Sequence, residues 1–347
     1  MINIGICGFG YWGPNLVRNF AAHPGFKVVA VADRSRALQK RAHELFPHVQ
    51  VHEDALELIN DETVDAVAIA TPVATHYALA AHALRKGKHA LVEKPLCERS
   101  AEADELIALA ERAGVALLVD HVYVFHQATR RIKQMMTTGS LGAVSYFDSM
   151  RINLGLFQPD VNVLWDLAPH DFSIMDYLFD EEPACIEATG YFHVNPKLPD
   201  IVYVTAHYRS RMIAHINVSW MSPVKVRRVA LGGSKQMVVW DDLNNEERLK
   251  IYNSGIEVRP EEQRHVHYRI GDIYSPRVPN REALVDVVDE FHSAIKGKQD
   301  SVLSGRRGAR VVRMLEAAQA ALDRSLMVAQ SSIQGIGAPS PKPAPKK

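Results

Sequence analysis

"GICGFGYWG", residues 5–13, sets Gly8, Gly10 and Gly13 in G-x-G-x-x-G spacing, just behind a short apolar run and in front of a helical pattern. The spacing has a mechanical reading. The first glycine permits a tight turn, the second lets a pyrophosphate approach the backbone, and the third lets helix and strand pack closely. Phosphates would then sit at the helix N-terminus, where unpaired N–H groups and the dipole favour negative charge. Asp33 closes the second apolar run, 20 residues beyond Gly13. A carboxylate there hydrogen-bonds both ribose hydroxyls and repels a 2′-phosphate, so NAD is the expected cofactor. Arg34 and Arg36 stand beside it and leave NADP open, because an arginine can receive that phosphate.

The stretch repeats its rhythm outward. "INIGIC" precedes "GPNLVRNFAAH", "KVVAVAD" precedes "SRALQKRAHELF", and "VDAVAIA" precedes "THYALAAHALRKG". "HALVEK" precedes "AEADELIALAERAG", and "VALLVD" closes the series. Apolar runs without polar alternation suit strands buried on both faces of a parallel sheet. Five such strands in turn with helices predict a doubly wound α/β unit over residues 1–120.

Beyond residue 120 the pattern changes. A helix through "ATRRIKQMMTTG" leads to a strand near "AVSYFDSMRIN". Strand-like runs follow at "ACIEATGYFHV", "IVYVTAHYR", "MIAHINVSW", "VRRVALGG" and "KQMVVWDD". They predict an α+β unit over residues 121–328, with a mostly antiparallel sheet and helices on one side. Two helical patterns close it, "EALVDVVDEFHSAIKG" and "RRGARVVRMLEAAQAALDRS". Residues 329–347, ending "GIGAPSPKPAPKK", are expected to be a disordered tail.

Bulk numbers exclude several classes. The 347 residues exceed what one core usually organises. Lysine plus arginine balances aspartate plus glutamate, 40 against 40, so no field draws the chain to nucleic acid or membrane. Cys7, Cys97 and Cys185 are odd in number, far apart and without a metal-ligand spacing, which predicts a reducing compartment and no disulfide framework. No basic leader precedes the first apolar run, so a cytoplasmic location is expected. "RHVHYR" places His265 and His267 on one strand face, without a third metal ligand nearby.

Two further stretches carry chemistry. "EKP", residues 93–95, sits where a parallel strand ends, and ligands bind in the crevice beyond such ends. Lys94 is either a solvated surface lysine or a cation facing the nicotinamide end of that crevice. "WDLAPHD", residues 165–171, sets Asp166 and His170 four apart around Pro169. Asp166 reads as a helix N-cap, with Pro169 in the first helical turn and His170 on the same face. The alternative is a pair that moves a proton in a pocket.

"GFGYWG", "ATP", "VEKPL" and "WDLAPHD" together resemble the Gfo/Idh/MocA family of sugar and inositol oxidoreductases. The resemblance extends through "EFHSAIKGKQDSVLSGRRGARVVRMLEAAQAAL", similar to that family's closing helices. It implies a Rossmann domain, a second domain whose open sheet forms a homodimer or homotetramer interface, and Lys94, Asp166 and His170 as the catalytic constellation. Phe9, Tyr11, Trp12, Thr71, Pro72, His76 and Glu93 are expected to line the cofactor cleft with the glycines, Lys94 and Asp33. The chain departs from many relatives at Val73, where they carry asparagine, and at "DHVYVFHQA", where they carry Gly-His-x-x-Arg.

Within the family, "GYWGPNLVRNF" and "RINLGLFQPDVNVLWDLAPHD" resemble bacterial UDP-N-acetylglucosamine 3-dehydrogenases. The resemblance implies NAD-dependent oxidation of the sugar's 3-hydroxyl, with a pathway aminotransferase as a partner. Tyr123, Asn153, Asn162 and Trp165 are expected to line the sugar pocket beside His170, and Arg151 to meet a diphosphate. An NADP-dependent ketosugar reductase, an inositol or free-sugar dehydrogenase, and a non-catalytic dinucleotide sensor are the competing readings.

Overall fold

The structure is a computed structural model, and it describes residues 1–155, 157–158, 160–258, 266–298 and 300–335. Its first unit runs β1 (Ile2–Cys7), α1 (Gly13–Ala22), β2 (Phe26–Ala32), α2 (Arg36–Leu45), β3 (Gln50–His52) and α3 (Ala55–Asn60). It continues through β4 (Ala66–Ile69), α4 (His76–Arg85), β5 (His89–Glu93), α5 (Ser100–Ala113) and β6 (Leu117–Asp120). The six strands form one parallel sheet in the order β3-β2-β1-β4-β5-β6. The order reverses between β1 and β4, which opens a crevice at their carboxyl ends. Every residue of β4 is buried, as an apolar run without alternation requires. The sequence reading expected five strands and missed β3. That strand is three residues long at the sheet edge, too short to display a period.

The second unit begins with α6 (Gln127–Thr137), β7 (Val144–Leu154) and α7 (Val163–Phe179). Five strands follow: β8 (Cys185–Tyr191), β9 (Ile201–His207), β10 (Ile213–Ser219), β11 (Met221–Gly233) and β12 (Met237–Asp241). Then come β13 (Leu249–Tyr252), a ribbon of β14 (Gly255–Val258) and β15 (Val266–Arg269), β16 (Ile273–Tyr274), α8 (Ala283–Ile295) and α9 (Gly305–Gly335). Eight strands make one sheet in the order β16-β13-β12-β11-β7-β10-β9-β8. All its neighbours are antiparallel except β10 and β7. His265 lies outside the described residues.

The sheets are separate, but the closing helices join their cores. Leu284, Val287, Val288 and Phe291 of α8 pack into the core holding β1 and α1. Each of these buried side chains contributes ~1.5–3 kcal/mol. On α9, Ala309 and Val312 enter the first unit's core, while Val311, Leu315, Ala318 and Leu322 enter the second's. That helix runs past the expected boundary at 328 to Gly335. No glycine or proline interrupts the chain between Gly308 and Gly335, and both accumulate beyond it. Residues 336–347 of the expected tail lie outside the described residues.

Candidate active site

The glycine turn is built for close approach. Gly8 has φ 96°, and a Cβ there would lie 2.5 Å from the Ala70 carbonyl oxygen. A Cβ on Gly13 would lie 2.3 Å from the Gly8 oxygen. A Cβ on Gly10 would meet nothing within 4 Å, so its missing side chain leaves open space beside the start of α1. That helix has no side-chain N-cap bond and no acid in its first turn. Pro14 has no N–H and Asn15 donates to the Trp12 carbonyl at 3.0 Å, so the N–H groups left to meet a pyrophosphate beside this open space are those of the turn from Gly10 to Gly13. Gly10→Ala is therefore expected to weaken NADH binding about tenfold with little change in Tm. Gly13→Ala is expected to lower Tm as well, because backbone must shift. Fluorescence titration of NADH and thermal melts check both, and equal Tm losses would sink the distinction.

Asp33 ends β2 half-buried. One of its oxygens accepts from the Phe9 N–H at 2.8 Å and the other from the Ser35 N–H at 2.8 Å. It thus braces the glycine turn, and each oxygen retains a lone pair for a ribose. Phe9 itself is wholly buried, so only its backbone faces the turn. Tyr11 is exposed and stacks on Trp12, and Arg34 is exposed on the ribose side. Thr71 and Pro72 follow β4 at the cleft floor.

His76 is corrected. It is 1% exposed, with Nδ1 2.9 Å from the Pro95 oxygen and Nε2 2.8 Å from the Thr71 oxygen. It ties the loops after β4 and β5 together beneath the cleft. Burial lowers its pKa, although both carbonyls favour the charged form.

Glu93 and Asp120 are register partners at the ends of β5 and β6. Trp12 Nε1 of the glycine loop donates to Asp120 Oδ2 at 3.0 Å. Burial, then the neighbouring Asp120, hold the Glu93 carboxyl well above the usual range. Burial likewise raises the Asp120 carboxyl, against the hydrogen bond from Trp12 that favours its charged form.

Lys94 and the α7 residues meet over this floor. Lys94 Nζ donates to the Asp166 carbonyl at 2.8 Å and lies 3.6 Å from its Oδ1. Trp220 Nε1, at the end of β10, donates to Asp166 Oδ2 at 3.1 Å. Asp166 is therefore a holder of Lys94. The N-cap expected of it belongs to Asn162, whose side chain accepts from the Trp165 N–H at 3.2 Å. The helix begins four residues earlier than the sequence reading placed it, so Pro169 falls in its second turn. His170 lies beside Tyr123, ring centroids 4.8 Å apart, and its Nδ1 has no partner in the protein. Burial first, then Lys94 and Arg151, push its pKa well below the usual value, so it is neutral near pH 7.

The expected sugar pocket divides. Tyr123 faces it, with Arg151 stacked 4.5 Å over its ring and Arg227 Nη1 donating to its hydroxyl at 3.1 Å. Arg151 was expected to meet a diphosphate and is instead 5% exposed. It grips Asp171 through Nε at 3.1 Å and Nη2 at 3.2 Å. A buried guanidinium needs a buried carboxylate, and Asp171, wholly buried and also bonded to Ser149 at 2.6 Å, supplies it. Asn162 and Trp165 are likewise drawn away, both donating to Gln319 of α9, at 2.8 and 3.1 Å. Asn153 stays half-exposed at the end of β7 on the Arg151 face.

The sequence reading also missed His121, Asp120, Trp220 and Arg227. His121 directly follows β6, so the strand-end rule could have found it. Trp220 and Arg227 carry no local signal. Among the described residues no group of three His, Cys, Asp or Glu side chains is set to hold a metal ion. No helix there is long and apolar enough to cross a membrane.

Comparisons with known proteins agree with this layout. Residues 2–121 match a family described as oxidoreductase, NAD-binding Rossmann fold, and residues 129–239 match the GFO/IDH/MocA C-terminal domain. The chain is similar to a UDP-N-acetylglucosamine 3-dehydrogenase of Acidithiobacillus ferrooxidans, 29% identical over 316 residues, covering 89% of this chain and 93% of that one. A solved structure of such an enzyme from Acidithiobacillus ferrooxidans superposes with a TM-score of 0.78 at 25% identity, covering 94% of this chain and 99% of that one. Inositol 2-dehydrogenase 1 of Saccharopolyspora erythraea is 30% identical over 190 residues, 52% of this chain and 55% of that one.

Proposed function

This chain belongs to the Gfo/Idh/MocA family of NAD-binding oxidoreductases, and from that premise we propose that it oxidises a secondary ring hydroxyl of a nucleotide sugar, C3 of UDP-N-acetylglucosamine above all. The carrying observation is the meeting of Lys94, from the end of β5, with Asp166 on the helix that bears His170. The likeness over nearly the full length to a UDP-N-acetylglucosamine 3-dehydrogenase supports the substrate.

Bound NAD supplies the acceptor for the hydride that leaves the carbinol carbon. Neutral His170 takes the hydroxyl proton as the C=O bond forms. Lys94 has three N–H donors; the Asp166 carbonyl occupies one, the Asp166 carboxylate is an ion-pair neighbour at 3.6 Å, and a remaining N–H steadies the developing alkoxide. Asp166 and Trp220 hold that ammonium in place. Tyr123 walls the imidazole on one side, between the two arginines that contact it.

The test is absorbance of reduced nicotinamide with UDP-N-acetylglucosamine and NAD, then NADP, with a carbonyl trap present. Signal with NAD is the expected result. Silence there but signal with myo-inositol would discard the nucleotide sugar and keep the oxidoreductase. Silence with both, despite NADH binding, would favour a non-catalytic sensor.

A further inference from the structure

His121 is 2% exposed, and neither of its ring nitrogens has a partner in the protein. Such a group costs free energy unless a ligand completes it, and buried polar atoms are almost always satisfied. Its place is fixed by backbone. Its N–H donates to the Val119 oxygen at 2.8 Å, and its own carbonyl accepts from the Val124 N–H at 3.0 Å. The Val119 N–H is in turn pinned to the Leu303 oxygen at 2.8 Å.

The strand end gives the direction. Asp120 reaches back to Trp12 in the glycine loop, on the cofactor side. Asp120 is the register partner of Glu93, so the residues that follow them, His121 and Lys94, leave neighbouring strand ends side by side, and the two act electrostatically on each other and on His170. Burial and the Lys94 charge drive the His121 pKa down to about 3, so the ring is neutral. A neutral imidazole offers one N–H donor and one acceptor. Either one suits a sugar hydroxyl, which can accept or donate. An anion would be served better by a cation.

We infer that His121 is a further substrate-binding residue, using a ring nitrogen that has no protein partner to hold a sugar hydroxyl beside Lys94 and His170. This rests on the reading that the cleft oxidises a sugar hydroxyl. Leucine at 121 keeps bulk and removes both polar atoms, whereas asparagine keeps one donor and one acceptor.

The experiment measures KM for UDP-N-acetylglucosamine and, separately, the Kd of NADH by fluorescence in the full-length protein. His121→Leu is expected to raise KM about 10- to 100-fold with NADH binding unchanged, and His121→Asn to recover part of the loss. An unchanged KM overturns the inference. So does weakened NADH binding with an unchanged KM, because the partner would then be the cofactor. His121→Ala, read the same way, replaces the leucine variant if that one fails to fold. If the parent oxidises myo-inositol and not the nucleotide sugar, the nucleotide-sugar reading fails while the KM for inositol judges His121 by the same outcomes. A parent inactive on both overturns the two together.

Discussion

Lys94→Ala should lower kcat by about 10²–10³-fold while leaving NADH binding intact. The alkoxide that forms as hydride departs needs a positive donor, and Lys94 is the cation that Asp166 and Trp220 hold over the cleft floor. The loss belongs in kcat rather than KM, because the neutral hydroxyl gains little from an ammonium until charge develops on it. Steady-state absorbance kinetics and a fluorescence titration of NADH separate the outcomes. Loss of NADH binding with kcat retained would make Lys94 a cofactor ligand and remove it from the proton chemistry.

His170→Ala should lower kcat by ~10²-fold or more, again with NADH binding kept. Its pH dependence distinguishes a base from a wall of the pocket. Burial and the Lys94 and Arg151 charges hold its pKa well below 6.5. The neutral form is the competent base, so the parent's kcat should be level above that pH and fall only on the acid side. The alanine variant should lose this acid limb. Near-normal turnover, or an acid limb that persists in the variant, would exclude His170 as the base. The two variants combined should cost less than the product of the singles, since both act on one oxygen and its proton.

The parallel unit was legible because its signals are local. The glycine spacing, the uninterrupted apolar strands and Asp33 each follow from what a short segment must do. β3 escaped because three edge residues carry no period. The 165–171 stretch was legible as a motif and misplaced as a helix start. Asp and Asn are equally good caps, and the choice of Asn162 follows where the chain meets Gln319.

Residues alone predicted the doubly wound nucleotide unit and the sheet-rich second unit, since patterns and spacings encode them, while Lys94, Asp166 and His170 came from the family resemblance as the group to examine. The partners had to await the folded chain. Arg151 finds Asp171 20 residues away, Trp220 finds Asp166 54 away, and Gln319 draws off Asn162 and Trp165 from more than 150 away. A buried guanidinium or amide is committed to whatever complementary group the packing delivers, and sequence distance says nothing of which that is. The same physics leaves His121 buried without a protein partner.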